Sequence, residues 1–338
     1  MSERKLASIE IVNNIEPIEG ANAIEKITVK GWQLVAKKGE FQKGDKCIYF
    51  EVDSFLPQIP QFNFLQAKGV KTLDLNGEKH SGYRLKTIKL RGQISQGLAL
   101  PLSSFNLSTD KEGDDVTEEL GILKYEIPES AVLGGVTKGN FPAFLSKTDE
   151  ERIQNLPKYF RTMQGRHFYI TEKIDGSSCT FYINNGEFGV CSRNMDLKET
   201  EKNSFWRIAR ELDIENKLKT LNKNIAIQGE LCGPGIQKNR QGFTKLSFRL
   251  FNVFDIDKYE RYNFNDIVQL CENLNIEMVP VINSDWVFTG TMQDVISMAD
   301  GQSMINIKCK REGLIFRALD NNHISFKVIS NKYLLKNE

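Results

Sequence analysis

Thr171-Glu172-Lys173-Ile174-Asp175-Gly176-Ser177-Ser178 closes an apolar run, Arg166-His-Phe-Tyr-Ile-Thr-Glu-Lys173, with the length and composition of a strand. At strand spacing Lys173 and Asp175 project to one face, and Gly176 is expected to let the backbone turn sharply beside a ligand. The lysine has Tyr169, Ile170 and Ile174 among its neighbours in sequence, an apolar setting unusual for a solvent-facing lysine. An ammonium with a pKa near ~10.4 is a poor nucleophile. Partial desolvation, nearby cations or a metal lower that value, and the amine can then attack phosphorus. The Lys-x-Asp-Gly tetrapeptide is short, and a hairpin-end lysine paired with Asp175 fits it equally well.

Downstream, Ser178–Ile183 and Glu187–Ser192 flank Asn185-Gly186, a hairpin turn. Lys202 to Leu218 has helical spacing. Strands are expected at Ile225–Glu230, Leu246–Phe254, Gly313–Arg317 and Ile324–Val328, and helices at Phe264–Leu274 and Met292–Ala299. The pattern is that of a mostly antiparallel sheet with helices packed on it, an α+β fold. Upstream, Thr148 with Glu151 three residues on reads as a capping box opening a helix through Arg152. Residues from about 125 to 144 hold Pro128, Pro142 and glycines with little periodicity, as a linker does. Before them come short strands: Ile24–Lys30, Gly31–Ala36, Asp45–Val52, Tyr83–Arg91 and Gln93–Pro101. A five-stranded OB-type β-barrel accounts for these. The expected division is 1–125 for the OB-type module, 126–147 for the linker and 148–338 for the second domain.

Composition removes several classes. The chain has 338 residues, 40% hydrophobic and 26% charged, as globular proteins have, and no apolar run suits a membrane span. The first residues do not read as a secretory signal. Six scattered cysteines without a CxxC pair, and three scattered histidines, argue against a zinc site or a disulfide framework. They fit buried thiols in a reducing, intracellular compartment, cytoplasmic by default. Gly39-Glu-Phe-Gln-Lys-Gly44 has phosphate-loop spacing, but Asp45 stands where the lysine belongs; Gly233-Pro-Gly235 begins a dinucleotide fingerprint that Lys238 breaks. With a net charge of +1, nucleic-acid binding must come from local patches. Arg84, Lys86, Lys89 and Arg91 are one candidate patch, although a charge-protected edge strand explains them as well.

Five further motifs follow Lys173-Ile-Asp-Gly176: Ser192-Arg193-Asn194, Gly229-Glu230-Leu231, Phe251-Asn-Val-Phe254-Asp255, Glu312-Gly313-Leu314-Ile315-Phe316 and Phe326-Lys327-Val328. This ordered series resembles the covalent nucleotidyltransferases, which include DNA and RNA ligases and mRNA-capping enzymes. The resemblance implies that Lys173 becomes adenylylated from ATP, with Arg193 on the ribose or the transferring phosphate and Lys327 on the α-phosphate. It implies that Glu230 binds ribose, that Glu172 and Ile174 contribute to the nucleotide site, and that an aromatic face stacks on adenine, with Phe254 the first choice and Phe251 the second. Asp175, Glu230 and Glu312 supply the oxygen ligands that Mg²⁺ or Mn²⁺ favours, through waters. An anionic transition state needs such cations. Where several relatives carry a second lysine in the last motif, Ile329 stands here, leaving Lys332 as a substitute. Ile307-Lys308-Cys309-Lys310 has the right spacing but precedes Glu312, and it is read as a decoy.

Eleven residues follow Lys327, too few for the C-terminal OB domain of DNA ligases and capping enzymes. Gly92-Gln-Ile-Ser-Gln-Gly-Leu98, Arg152-Ile-Gln-Asn155 and the tail from Phe326 to Lys336 are similar to RNA ligases of the Deinococcus and Naegleria type. That resemblance implies an N-terminal OB module before a nucleotidyltransferase domain, with Arg152 contacting the outgoing pyrophosphate. It also implies joining of a 3′-hydroxyl to a 5′-phosphate at nicks in RNA-containing duplexes. The expected partner is RNA or an RNA-containing duplex end, with no membrane and a monomer favoured. A capping-type guanylyltransferase and a non-catalytic nucleic-acid-binding protein are the alternatives. Intact Lys173, Glu230, Glu312 and Lys327 oppose the second.

Overall fold

The structure, a computed structural model, describes residues 4–75, 77–126 and 136–337. These divide into two compact units: 4–126 with 154–158 and 334–337, and 136–153 with 159–333. No helix among the described residues is long and apolar enough to cross a membrane.

In the first unit, five antiparallel strands run in the order Leu98–Pro101, Lys46–Phe50, Ala7–Pro17, Ile24–Val29, Trp32–Lys37. Ala7–Pro17 pairs with Lys46–Phe50 through its first half and with Ile24–Val29 through its second, with a register shift between Val12 and Asn14. Such an irregularity bends a strand, and here it curls the sheet as a barrel requires. Both faces are apolar: Val12, Ile27, Trp32, Leu34 and Tyr49 pack on one side, and Ile9, Ile48, Phe50, Leu56 and Phe62 on the other.

The expected strand Tyr83–Arg91 is in fact two. Glu78–Arg84 joins a sheet with Ser54–Pro57 and Lys71–Leu75, whereas Thr87–Leu90 forms a separate ribbon with Gln93–Gln96. Arg91 and Gly92, at φ 48° and 84°, make that ribbon's turn, which accounts for the glycine.

The second unit holds two antiparallel sheets. The larger runs Thr137–Asn140, Met195–Leu197, Glu187–Cys191, Ser177–Asn184, Ile225–Cys232, Ser247–Asp255, Glu260–Arg261. The smaller runs Val281–Val287, His167–Lys173, Gly313–Ala318, Ser325–Ile329. Phe181, Ile227, Phe248, Leu250 and Val253 share an apolar cluster with residues of the helices Ser204–Glu211, Ile214–Lys219 and Phe264–Leu274. Behind the smaller sheet Phe168, Trp286, Phe288, Phe316 and Phe326 pack ring against ring. Burying rings of this kind contributes roughly 1.5–3 kcal/mol each, so each sheet has one firmly anchored face.

Three details depart from the sequence reading. The expected helix over 202–218 breaks at Asp213, which is left-handed at φ 54°. Of the expected linker, 127–135 lie outside the described residues, while Thr137–Asn140 is a strand paired with Met195–Leu197. No helix starts at Thr148. Residues 148–152 run extended, with Lys327 N donating to Glu151 O, and the helix Pro157–Met163 begins at the proline. Glu151, the acidic residue of the expected cap, accepts from Arg152 N at 2.9 Å instead.

Candidate active site

Strand alternation sorts the smaller sheet. Cross-strand partners Lys173 and Gly313, Thr171 and Ile315, Tyr169 and Arg317, Ile315 and Lys327 place these side chains on one face. Phe168, Ile170, Leu314, Phe316 and Phe326 point to the other, the aromatic core. Glu172 goes with the core side. It is buried, one oxygen accepts from Met304 N at 2.7 Å, and the other has no hydrogen-bond partner. Its side chain is thus turned from the Lys173 face, and only its main chain accompanies the nucleophile candidate.

Lys173 Nζ lies 2.7 Å from Glu312 Oε1, with the lysine 27% exposed. Burial pushes the amine down, but Glu312, Glu230 and Asp175 together outweigh it and hold the group above its ordinary value. Lys173 thus sits as an ammonium ion-paired to Glu312. Glu230 carries the complementary strain. Burial, chiefly, pushes its carboxyl up to about 8, Lys173 opposes this, and Glu312 and Asp175 reinforce it. The chain bends at Asp175 and Gly176 as expected, and proximity gives glycine a second reason: a Cβ there would lie 2.4 Å from Leu231 O and 2.8 Å from Glu230 Cγ.

Asp175 is held by Arg240, which also donates to Tyr333 Oη at 2.7 Å and lies over the Tyr333 ring. Arg193 and Lys327, far apart in sequence, meet on one carboxylate. Asp149 Oδ2 is 2.7 Å from Arg193 and Oδ1 is 2.8 Å from Lys327. Lys327 is pushed below the ordinary lysine range, mainly by burial. Arg152 is buried and bridges to the Lys327 strand. Lys332, the candidate second lysine, is 66% exposed and pairs with Asp300 at 3.2 Å.

The two phenylalanines separate cleanly. Phe254, 1% exposed, is sealed among Leu145, Tyr182, Cys191 and Ala226. Phe251 sits at a register shift in its strand, half-buried, in a cluster with Ile174, Cys232 and Val279. Of the two rings, Phe251 is thus the one less sealed from a ligand. Ile174 itself is buried in that cluster beside Phe251.

Sequence reasoning missed four charged residues. Asp149 and Arg240 are described above. The other two, Glu150 and Arg317, are buried and paired at 3.0 Å, with Ser325 and Arg261 also on Glu150 and Phe251 O accepting from Arg317 at 2.7 Å. One sign was present: an arginine inside Gly-Leu-Ile-Phe-Arg-Ala falls on the Lys173 face by alternation. In the first unit Arg84 pairs with Asp53 at 2.8 Å and stacks on Tyr125, so it is committed to the fold. Lys86, Lys89 and Arg91 are exposed, the last two on the ribbon.

Among the described residues no three His, Cys, Asp or Glu side chains converge closely enough to hold a metal directly. Asp175, Glu230 and Glu312 are instead gathered around Lys173, and Glu312 Oε2 is buried without a hydrogen-bond partner. An orphaned carboxylate oxygen and a carboxyl raised by burial both favour a cation, and they fit one held through waters.

An OB-type barrel followed by paired antiparallel sheets, with a lysine and three carboxylates on one inner face, defines the ligase-type nucleotidyltransferase architecture. The sequence matches the OB-fold domain family over residues 6–102 and the RNA ligase family over 166–332. An apo mutant of Naegleria gruberi RNA ligase superposes with a TM-score of 0.92 at 43% identity, covering 100% of this chain and 99% of that one. The same enzyme with pyrophosphate, and a mutant with AMP and Mn, each match at 44% identity and TM-score 0.92, covering 99% of both chains. No curated protein matches. The chain belongs to the RNA ligase family.

Proposed function

We propose that this RNA ligase uses ATP to adenylylate its own Lys173 and then seals 3′-hydroxyl and 5′-phosphate ends at nicks in RNA-containing duplexes. The observation that carries the reading is Lys173 facing Glu312, Glu230 and Asp175, with Lys327 on the same sheet face. The Naegleria relatives with ATP and Mn, AMP and Mn, and pyrophosphate support it.

In the first step the Lys173 Nζ lone pair bonds to the α-phosphorus and the bond to pyrophosphate breaks. Nζ must first give up a proton, and Glu312 Oε1 at 2.7 Å is the acceptor in reach. Asp175, Glu230 and Glu312 would hold a divalent cation through waters, and it would supply the positive charge that those carboxylates otherwise draw from the lysine. Lys327 and Arg193 neutralise the phosphate, Arg152 meets the leaving pyrophosphate, and Phe251 with Ile174 cradles the base. The adenylate then passes to the 5′-phosphate, the 3′-hydroxyl attacks that phosphate, and AMP leaves. Residues up to about 125 act as the nucleic-acid-binding OB module, with Lys89 and Arg91 its better-placed cations. Residues from 148 onward, with the strand Thr137–Asn140, form the catalytic domain. All six thiols are unpaired and five are buried, which suits a reducing compartment.

Incubation with labelled ATP and Mg²⁺ or Mn²⁺, followed by a denaturing gel, tests this. The wild type takes the label and Lys173→Met does not. Labelling or end joining from ATP by a folded Lys173→Met chain overturns the reading.

A further inference from the structure

The Ile307–Lys310 stretch, a decoy for the last motif, belongs to a surface with a different chemistry. Segments 233–246 and 301–311 contain Lys238, Arg240, Lys245, Lys308, Lys310 and Arg311 but no acidic residue, in a chain whose net charge is only +1. The two segments are fastened together. Asn306 Nδ2 donates to Gln241 O at 2.9 Å, and Cys309 Sγ lies 3.0 Å from Arg240 O. Two of the cations are used internally, Arg240 by Asp175 and Arg311 by the carbonyls of Met298, Ala299 and Asp300. The four lysines are exposed, and none has a carboxylate partner among the described residues.

Between these lysines the surface is apolar. Ile307 is 76% exposed, more than any other large apolar side chain among the described residues, and Met304 is 58% exposed. They are not on a slack loop. Ser303 N bonds Cys309 O, Cys309 N bonds Asn306 O, Met304 N is held by Glu172, and Ile305 is packed against Ile174. A loop braced at this many points, yet presenting its largest apolar side chain to water, spends that exposure on something outside the chain. The same double loop carries Arg240 to Asp175 and leads directly into Glu312, so its occupant lies beside the reacting lysine.

We infer that the double loop 233–246/301–311 grips the polynucleotide next to the junction, its four lysines on backbone phosphates and Met304 and Ile307 against an exposed base face. Unpaired cations flanking a small apolar platform suit a polyanion that also offers flat apolar surfaces, which describes a nucleic-acid strand. The inference rests on the ligase reading, and its test is separable from it.

Binding of the wild-type chain and of Lys245→Glu/Lys308→Glu to a nicked duplex with an RNA 3′-hydroxyl strand is followed by fluorescence anisotropy at several salt concentrations. Self-adenylylation with labelled ATP is measured alongside. The double variant should self-adenylylate normally, bind about tenfold or more weakly, and lose roughly 0.9 of salt slope per phosphate contact removed. Ile307→Ala should slow sealing without altering self-adenylylation. Unchanged binding and sealing in the double variant overturns the inference. If the wild type fails to label at all, the ligase reading falls instead. Should the charge reversal also abolish labelling, Lys245→Gln/Lys308→Gln replaces it and the same two outcomes decide.

Discussion

Replacing Asp149 by alanine tests whether that carboxylate holds the place of a phosphate. Its oxygens lie 2.7 Å from Arg193 and 2.8 Å from Lys327, the two cations read as phosphate ligands. Arg193 and Asp149 are 40% and 52% exposed, so their pair is worth only ~0.2–1 kcal/mol. Lys327 is 20% exposed, and its pair belongs at the upper end of that range. A phosphate that binds both cations must first release them. Removing the competitor should therefore gain about 1.4 kcal/mol, or about tenfold in Kd. Loss of one negative charge beside a polyanion acts in the same direction. Lys327 is already lowered by burial, with Asp149 opposing, so the variant lowers it further. The gain is then greatest while Lys327 remains protonated and shrinks as pH rises through its value. Calorimetric titration of pyrophosphate into Lys173→Met, with and without Asp149→Ala, measures the effect without turnover. Equal or weaker binding by a folded Asp149→Ala chain would show that the carboxylate orients the cations rather than competing for them.

The remaining expectations concern stability and the base pocket. Glu150→Ala leaves Arg317, 3% exposed, uncompensated and should cost about 3–5 kcal/mol, a fall in Tm of roughly 6–20 °C; a loss under about 1 kcal/mol by denaturant titration contradicts the cluster's role. Phe251→Ala should weaken ATP binding with a modest stability cost, whereas Phe254→Ala should cost about 3–5 kcal/mol of stability; the reverse pattern restores Phe254 as the stacking ring. Glu230 keeps its proton up to about 8 when folded but releases it near ~4.3 when unfolded, so stability falls as pH rises across that window. Glu230→Gln should flatten this decline, and Mn²⁺ should raise the Tm of the wild type more at pH 8 than at pH 6.

The elements that bear the motifs were legible because their periodicity is strong. The strand ending at Lys173 and the Asn185-Gly186 hairpin, with φ 51° and 83° at its two turn residues, follow from alternation and turn chemistry. What stayed hidden was pairing at long range. Nothing local says that Asp149 meets residues 193 and 327, or that Arg240 reaches Asp175. The Thr148 capping box failed for that reason, since a strand-like bridge to Lys327 claimed the backbone of Glu151 and Arg152. Nor does alternation alone reveal the register shift beside Phe251, which separates its surroundings from those of Phe254. The longest strand, Ala7–Pro17, was missed because Asn13, Asn14 and Glu16 interrupt its apolar pattern.

The hidden pairs share a logic. Lys173 is matched by Glu312, Asp175 by Arg240, and Lys327 with Arg193 by Asp149. These five groups, all read as touching nucleotide or metal, are each held by an opposite charge from another element. Burying such groups unpaired would cost several kcal/mol apiece, so the ligand-free fold requires partners for them. Those partners are also the obstacle to chemistry, because a lysine neutralised by carboxylates is protonated and cations closed on an aspartate are not open to phosphate. Binding must then proceed by exchange: phosphate for Asp149, and a divalent cation for the lysine's hold on the carboxylates. An exchange of this kind gives up some affinity but conserves charge balance in both states. Under the proposed mechanism the amine would become nucleophilic only once nucleotide and cation are both in place, and would be least reactive when there is nothing for it to attack.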